Sequence, residues 1–297
     1  MKRIILLVLS FFATTYGMCQ IKKTDLLIII NQAGTLNSII NNLSFQDVDS
    51  LILAGTLNGS DIRILRHMLG GEYHDINSTE GNLQFLDISN ATIVDDGEDC
   101  LYLDVMSNPY FNHIYASSDT IGNYMFFDCP NMVHIKLPHG IKAIDDGAFQ
   151  FSNSLEEIVV PEGVETIGSA VFRNCTALRS VAFPSTLSSI GAWLVNDCMS
   201  LKSVACSSTE PPVCIEETFG DMKGVTLYVP LGCAEKYRQC IGWNKFTTIV
   251  EINTAWVSNV DTMAHVIPKI YSLDGIQLQR NPNRGIYIRN GKKYTVK

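Results

Sequence analysis

Positive charge is scarce in this chain: 22 Lys and Arg stand against 30 Asp and Glu, for a formal net charge of −8. No Lys/Arg cluster lies in the central sequence. Nucleic acid and anionic membrane surfaces are held by basic patches that displace counterions, so neither class of partner is expected. Long apolar runs are equally rare. The one at Ile4 to Ala13 has the length of an export-signal core and is too short to span a bilayer. Missing too are HExxH, G-x-S-x-G, CxxC and any zinc-like Cys/His spacing. The six histidines, His67, His74, His113, His134, His139 and His265, fall in unrelated contexts. With no convergent acid, base or nucleophile set, the reading is of a non-enzyme with no catalytic, cofactor or metal residues.

What the sequence has instead is repetition. Ile121, Ile144, Ile167 and Ile190 recur every 23 residues. Gly122, Gly168 and Gly191 follow one position on, and Phe126, Phe149, Phe172 and then Val195 follow five positions on. The second half of each copy keeps step: Met132, Leu155, Leu178 and Leu201; Ile135, Ile158, Val181 and Val204; Leu137, Val160, Phe183 and Cys206. Pro138, Pro161 and Pro184 close the segment. A fixed short period implies a solenoid, because one coil cannot bury its own apolar face and must stack on a neighbour. Each coil is expected to carry a strand over Met132 to Leu137 or its equivalent, with the Phe column inside. The outward positions of those strands form two columns. His134, Glu157, Ser180 and Ser203 make a polar one; Lys136, Val159, Ala182 and Ala205 make one that turns apolar toward the C-terminus. This is the candidate binding face.

The flanks are less regular. Lys2 and Arg3 before the apolar run, and Gly17 and Cys19 at the −3 and −1 positions, mark residues 1–19 as an export signal cleaved before Gln20. The alternative makes Cys19 a lipid-bearing first residue, against which Met18 stands. Exported chains keep disulfides, so the nine cysteines matter. Cys129, Cys175 and Cys198 share one repeat column with Ser152, which suits a ladder of small core-facing groups. Cys206 and Cys214 are spaced to close a loop, whereas Cys233 and Cys240 lie roughly 10 Å apart along a helix and cannot pair. Residues 20–120 alternate strands (Asp25 to Ile30, Leu51 to Asn58, Leu83 to Ile93) with short helices (from Ala33, and after Ser60 and Asp61 as caps), and read as an N-terminal cap. Asp95 to Asp99 is acidic but lacks the spacing of a calcium loop. The stretch from Leu101 to Thr120 reads as an unpatterned connection. Residues 121–206 are the regular coils. Residues 207–252 read as a C-terminal cap, with a strand ending at Pro230, a helix over Ala234 to Cys240, and Trp243 and Phe246 packed beneath. Exposed, those two rings would instead offer a platform for sugars. Residues 253–297 form a separate β tail, with strands near Ile270 and from Gly285, and a hairpin turn at Asn290-Gly291.

The repeated I-G-x-x-x-F-x-x-C-x-x-L-x-x-I/V sentence resembles the BspA-like leucine-rich repeats, abundant in surface and secreted proteins of the Bacteroidetes. The resemblance implies an α+β repeat solenoid, a short stack of 23-residue leucine-rich coils between two caps. It also implies a surface or extracellular location and adhesion to a protein or glycan partner, in host matrix or on another bacterium. It brings no catalytic residues. The segments Ser272 to Gly275 and Gly285 to Lys293 resemble a short C-terminal segment frequent in the same bacteria. More distantly they resemble the sorting domain of type IX secretion, which is much longer. A structural or assembly subunit of a surface complex is the competing reading.

Overall fold

The computed structural model describes residues 7–8, 25–40, 45–71, 81–102, 113–253, 270–272, 277–278, 285–289 and 292–296. Contacts divide the chain into two compact units, Met1–Ile252 and Asn253–Lys297.

The larger unit begins with β1 (Leu7–Val8), antiparallel to β2 (Asp25–Ile30). A short helix α1 (Leu36–Ile40) leads through a single 3-10 turn to β3 (Ser50–Leu57), α2 (Gly59–Met68) and β4 (Phe85–Ile93). The cap of α2 lies two residues ahead of the expected Ser60. Asn58 accepts a hydrogen bond from the amide of Asp61, and the Asp61 carboxylate accepts one back from the amide of Asn58. That carboxylate also accepts from the amides of Gly34 and Leu36 at 2.7 and 2.9 Å, so one buried side chain fixes the starts of both helices. The expected unpatterned connection from Leu101 to Thr120 takes in the end of β5 (Asp99–Tyr102) and all of β6 (His113–Tyr115), which pair antiparallel. Asn108-Pro109 lies outside the described residues.

From Thr120 onward each coil contributes to two parallel sheets. The two-residue strands β7 (Thr120–Ile121), β9 (Ala143–Ile144), β11 (Thr166–Ile167) and β13 (Ser189–Ile190) make one, in the order β13-β11-β9-β7. The longer strands β8 (His134–Lys136), β10 (Glu157–Val159), β12 (Ser180–Phe183) and β14 (Ser203–Cys206) continue the sheet begun by β1 to β4. That sheet ends with β15 (Thr226–Pro230) and β16 (Thr248–Ile252), ten strands in all. Parallel register puts like on like: Ile158 pairs with Val181, Val181 with Val204, and Val204 with Leu227.

The alternation predicted by a strand period of two places these residues inward, where all are buried. The Phe column stacks as expected. Phe126, Phe149 and Phe172 follow one another with ring centroids 5.6 Å apart at each step and near-parallel planes. Beside it runs a second interior ladder. Cys175 donates to the Phe149 carbonyl and Cys198 to the Phe172 carbonyl at 3.1 and 3.0 Å, and Ser152 does the same for Phe126 at 2.9 Å. All eight described cysteines are free thiols, so Cys206 and Cys214 do not close a loop. Cys206 instead ends an interior strand, buried beside Tyr237.

The turns between the two sheets hold a feature the periodicity did not announce. Two positions per coil have left-handed backbone: Tyr124, Gly147, Ala170 and Trp193 in one column (φ 52, 62, 55 and 55°), and Asp128, Phe151, Asn174 and Asp197 in the other (φ 49, 65, 60 and 63°). For a residue with a side chain this costs about 1–2 kcal/mol. It persists because alternate amides of the turn donate to the next coil: Phe149 to Val171, Phe151 to Arg173, Ala170 to Ala192, Phe172 to Leu194.

After β15, α3 (Ala234–Gln239) and a 3-10 turn at Trp243–Lys245 carry Tyr237 and Trp243, both fully buried. The smaller unit is an antiparallel sheet of β17 (Ile270–Ser272), β18 (Gln277–Leu278), β19 (Gly285–Arg289) and β20 (Lys292–Val296), in the order β18-β17-β19-β20. Arg289 faces Lys292 across the last pair, and the Asn290-Gly291 turn between them lies outside the described residues. So does nearly all of the expected export signal, Cys19 included.

Candidate functional site

The outward face of the ten-stranded sheet carries all eight residues singled out by the repeat. Backbone pairing fixes their alignment: His134 opposite Glu157, Glu157 opposite Ser180, and Ser180 opposite Ser203. In the second column Val159 pairs with Ala182 and Ala182 with Ala205, and Lys136 stands two residues beyond His134 on β8. Because pairing continues on both sides, the columns are longer than the repeat suggested. Phe85 joins the first next to His134, and Asp87 joins the second next to Lys136. At the other end Thr226 and Thr248 extend the first, and Tyr228 and Val250 the second.

Charge gathers at the N-terminal end of this strip, on β4, β8 and β10. His134 Nδ1 lies 3.7 Å from Glu157 Oε1, and Lys136 Nζ lies 3.5 Å from Asp87 Oδ2. The Phe85 ring tilts against the His134 imidazole at a centroid distance of 5.9 Å. The His134–Glu157 pair, about a third exposed on each side, adds about 0–1 kcal/mol to folding, whereas Asp87 is largely covered and leaves the half-exposed Lys136 amine facing outward beside it. Toward the C-terminus the surface becomes apolar but uneven. Ala182 and Ala205 are only 6% and 5% exposed and form a floor, whereas Val250 is 38% exposed and Tyr228 half-buried. Sequence reasoning missed Phe85, Asp87, Tyr228 and Val250. The alternation of Leu227, Tyr228 and Val229 carried the signal for Tyr228, since its two neighbours face inward.

Other groups considered from the sequence do not assemble into a site. Trp243 and Phe246, weighed as a sugar platform, are 0% and 3% exposed. Trp243 donates its indole N–H to the Pro212 carbonyl at 2.8 Å and packs against Phe183, Phe219 and Tyr237. They lie inside because α3 and the turn after it need an apolar underside. The acidic segment at Asp95 is held by its neighbours: Asn58 donates to Asp96 at 2.7 Å, and Arg63 pairs with Asp99. Among the described residues no group of three His, Cys, Asp or Glu is placed to hold a metal ion, and no helix is long and apolar enough to cross a membrane. The interior thiols are unreactive in kind: burial pushes Cys129 up to about 11, Cys198 up to about 12 and Cys175 well above its ordinary value.

Stacked parallel coils with a strand in every turn and an aliphatic column inside define a leucine-rich repeat solenoid. Residues 107–213 match the family model of the BspA type leucine-rich repeat region, with six copies. None of the curated proteins matches the chain significantly. Among solved structures, the pneumococcal vaccine antigen PcpA is 15% identical with a TM-score of 0.35, over 78% of this chain and 60% of that one. A leucine-rich repeat protein from Eubacterium ventriosum is 18% identical (TM-score 0.36; 65% of this chain, 68% of that one). Another, from Bacteroides ovatus, is 20% identical (TM-score 0.29; 71% of this chain, 52% of that one).

Proposed function

We propose that this chain is an exported, non-enzymatic repeat protein that holds a protein partner against the outward face of its long sheet, outside the cell. In this reading residues 1–19 are the export signal, residues 20–120 and 207–252 cap the two ends of the repeat stack of residues 121–206, and residues 253–297 form an appended tail. The observation that carries it is the alignment of the two outward columns. The polar end of the strip at Asp87, His134, Lys136 and Glu157 gives way toward the C-terminus to half-buried Val159 and, further on, Tyr228, so one strip offers orienting charge and apolar contact. The BspA type repeat region adds support, because a solenoid of this kind displays the same positions coil after coil.

The test is surface plasmon resonance of the mature chain against host matrix proteins and bacterial surface proteins. A Glu157→Lys, Val159→Arg double variant reverses one charge and puts another on the apolar flank. Affinity for the partner is expected to fall at least roughly tenfold. Unchanged affinity removes this face from consideration.

The division of the chain at Ile252 supports a second reading, an assembly subunit whose tail is the contact point. Deleting residues 253–297 separates the two. Loss of surface location with binding intact makes the tail an anchor, and loss of binding alone makes it part of the site.

A further inference from the structure

At the N-terminal end of the long sheet, β2 pairs with β3 along all six of its residues, and β1 lies antiparallel on its other side. That outer cover is short: Leu7 stands opposite Leu27 and Val8 opposite Leu26, while Ile29, further along the strand, is 53% exposed. β1 also lies within residues 1–19. Cleavage on either side of Cys19 removes it, so the mature chain presents β2 as the outermost strand. After Asp25 that strand reads Leu-Leu-Ile-Ile-Ile, with no proline, lysine or bulge to blunt it. An unbroken apolar edge exposes a row of backbone donors and acceptors and is a template for another strand. The opposite edge differs, because β16 carries an exposed carboxylate at Glu251.

Alternation along β2 selects the strand that fits. Leu26, Ile28 and Ile30 are buried and inward, and Leu27 and Ile29 point the other way. A second copy of β2, antiparallel as β1 is and centred on Ile28, sets Leu26 against Ile30, Ile28 against its own counterpart, and Leu27 against Ile29. Inward residues then meet inward ones and outward residues meet outward ones, which a shift of one residue would destroy. Residues two apart along a strand bond in the same direction, so this register satisfies whichever alternate amides and carbonyls are free. Asp25 falls beyond these pairs, and no like charges come opposite one another. The strand is therefore its own complement.

We propose, resting on the export reading of residues 1–19, that their removal bares β2 as a dimer edge on which a second mature copy pairs antiparallel about Ile28. The twofold axis of such a pair is normal to the sheet, so both outward faces look the same way and one dimer offers a repetitive partner two strips. One strand from each copy is a smaller contact than the ~800 Å² per partner of a standard interface, so the dimer should dissociate on dilution, at roughly micromolar concentration. The test is analytical ultracentrifugation of the chain recovered outside exporting cells, its N-terminus read by mass spectrometry, across a dilution series. A reversible monomer–dimer equilibrium is expected. Leu27→Lys with Ile29→Lys sets lysine against lysine and should weaken association at least roughly tenfold. Its thermal midpoint should hold, since both positions point away from the core. Leu27→Glu with Ile29→Glu should be equally monomeric alone, and mixing the two variants should restore a dimer. The strand-face variant Glu157→Lys, Val159→Arg should dimerise as the parent does. A cleaved chain that stays monomeric, a dimer that the lysine pair leaves intact, or a mixture that does not associate overturns the proposal. So does a mass that grows beyond two copies, the mark of β2 joining β16 of the next chain head to tail. Retention of residues 1–19 would overturn the export reading together with the dimer, whereas a cleaved monomer overturns the dimer alone.

Discussion

Phe149 sits at the centre of the interior with a ring stacked on each side, so no neighbouring coil can close over its absence without breaking two contacts. Phe149→Ala should cost about 3–5 kcal/mol, seen as a lower urea midpoint with an unchanged slope. The thiols beside it set an alkaline limit. Burial pushes Cys198 up to about 12 and Cys129 up to about 11 from an ordinary 9.0, so the fold retains their protons after the unfolded chain has lost them. Stability is therefore complete below about pH 9 and declines as the pH rises above it. Urea titrations at pH 8 and pH 10.5 should show this decline, and Cys198→Ser, which keeps the donor as Ser152 does, should make it shallower. Both columns were legible in the sequence, because an interior residue has one environment and the repeat copies it. The left-handed positions were not. Asp128, Asn174 and Asp197 hinted at one of them, since Asn and Asp tolerate that region, but Tyr124, Phe151 and Trp193 hid the pattern.

The elements at the N-terminal side depend on single polar groups rather than on repetition. Asp61 is 1% exposed and accepts from the amides of Gly34, Leu36 and Asn58. Asp61→Ala leaves all three donors without that acceptor, and should cost about 2–4 kcal/mol. Hydrogen exchange should show the loss first at Gly34 and Leu36, ahead of global unfolding. That α2 would be capped near residue 60 followed from local composition. That its capping carboxylate also serves α1, 25 residues earlier, did not, because the spacing of two helices in space is decided by how β2 and β3 pair. Arg66 makes the same point: buried in α2, it donates to the Met125 carbonyl at 3.1 Å and so ties the irregular region to the first regular coil.

At the scale of the whole molecule, the contact division at Ile252 predicts that the larger unit keeps its core without the tail. Removing residues 253–297 should leave the urea midpoint of the repeat unit within about 0.5 kcal/mol of the parent. A larger drop would mean that the tail completes the core. The stacked architecture and its interior were written in the sequence, because a period of apolar residues has one economical solution when each coil needs a neighbour to become dry. The outward columns were half written: alternation named their central members, and only the pairing of β4, β15 and β16 onto the stack showed that Phe85, Asp87, Tyr228 and Val250 lengthen them. Which aromatic rings face water was decided by tertiary structure alone. Trp243 and Trp193 are the same residue type in comparable company along the chain. One is sealed beneath a helix that must cover an open end, and the other is turned outward by a backbone conformation that bonds between coils hold in place.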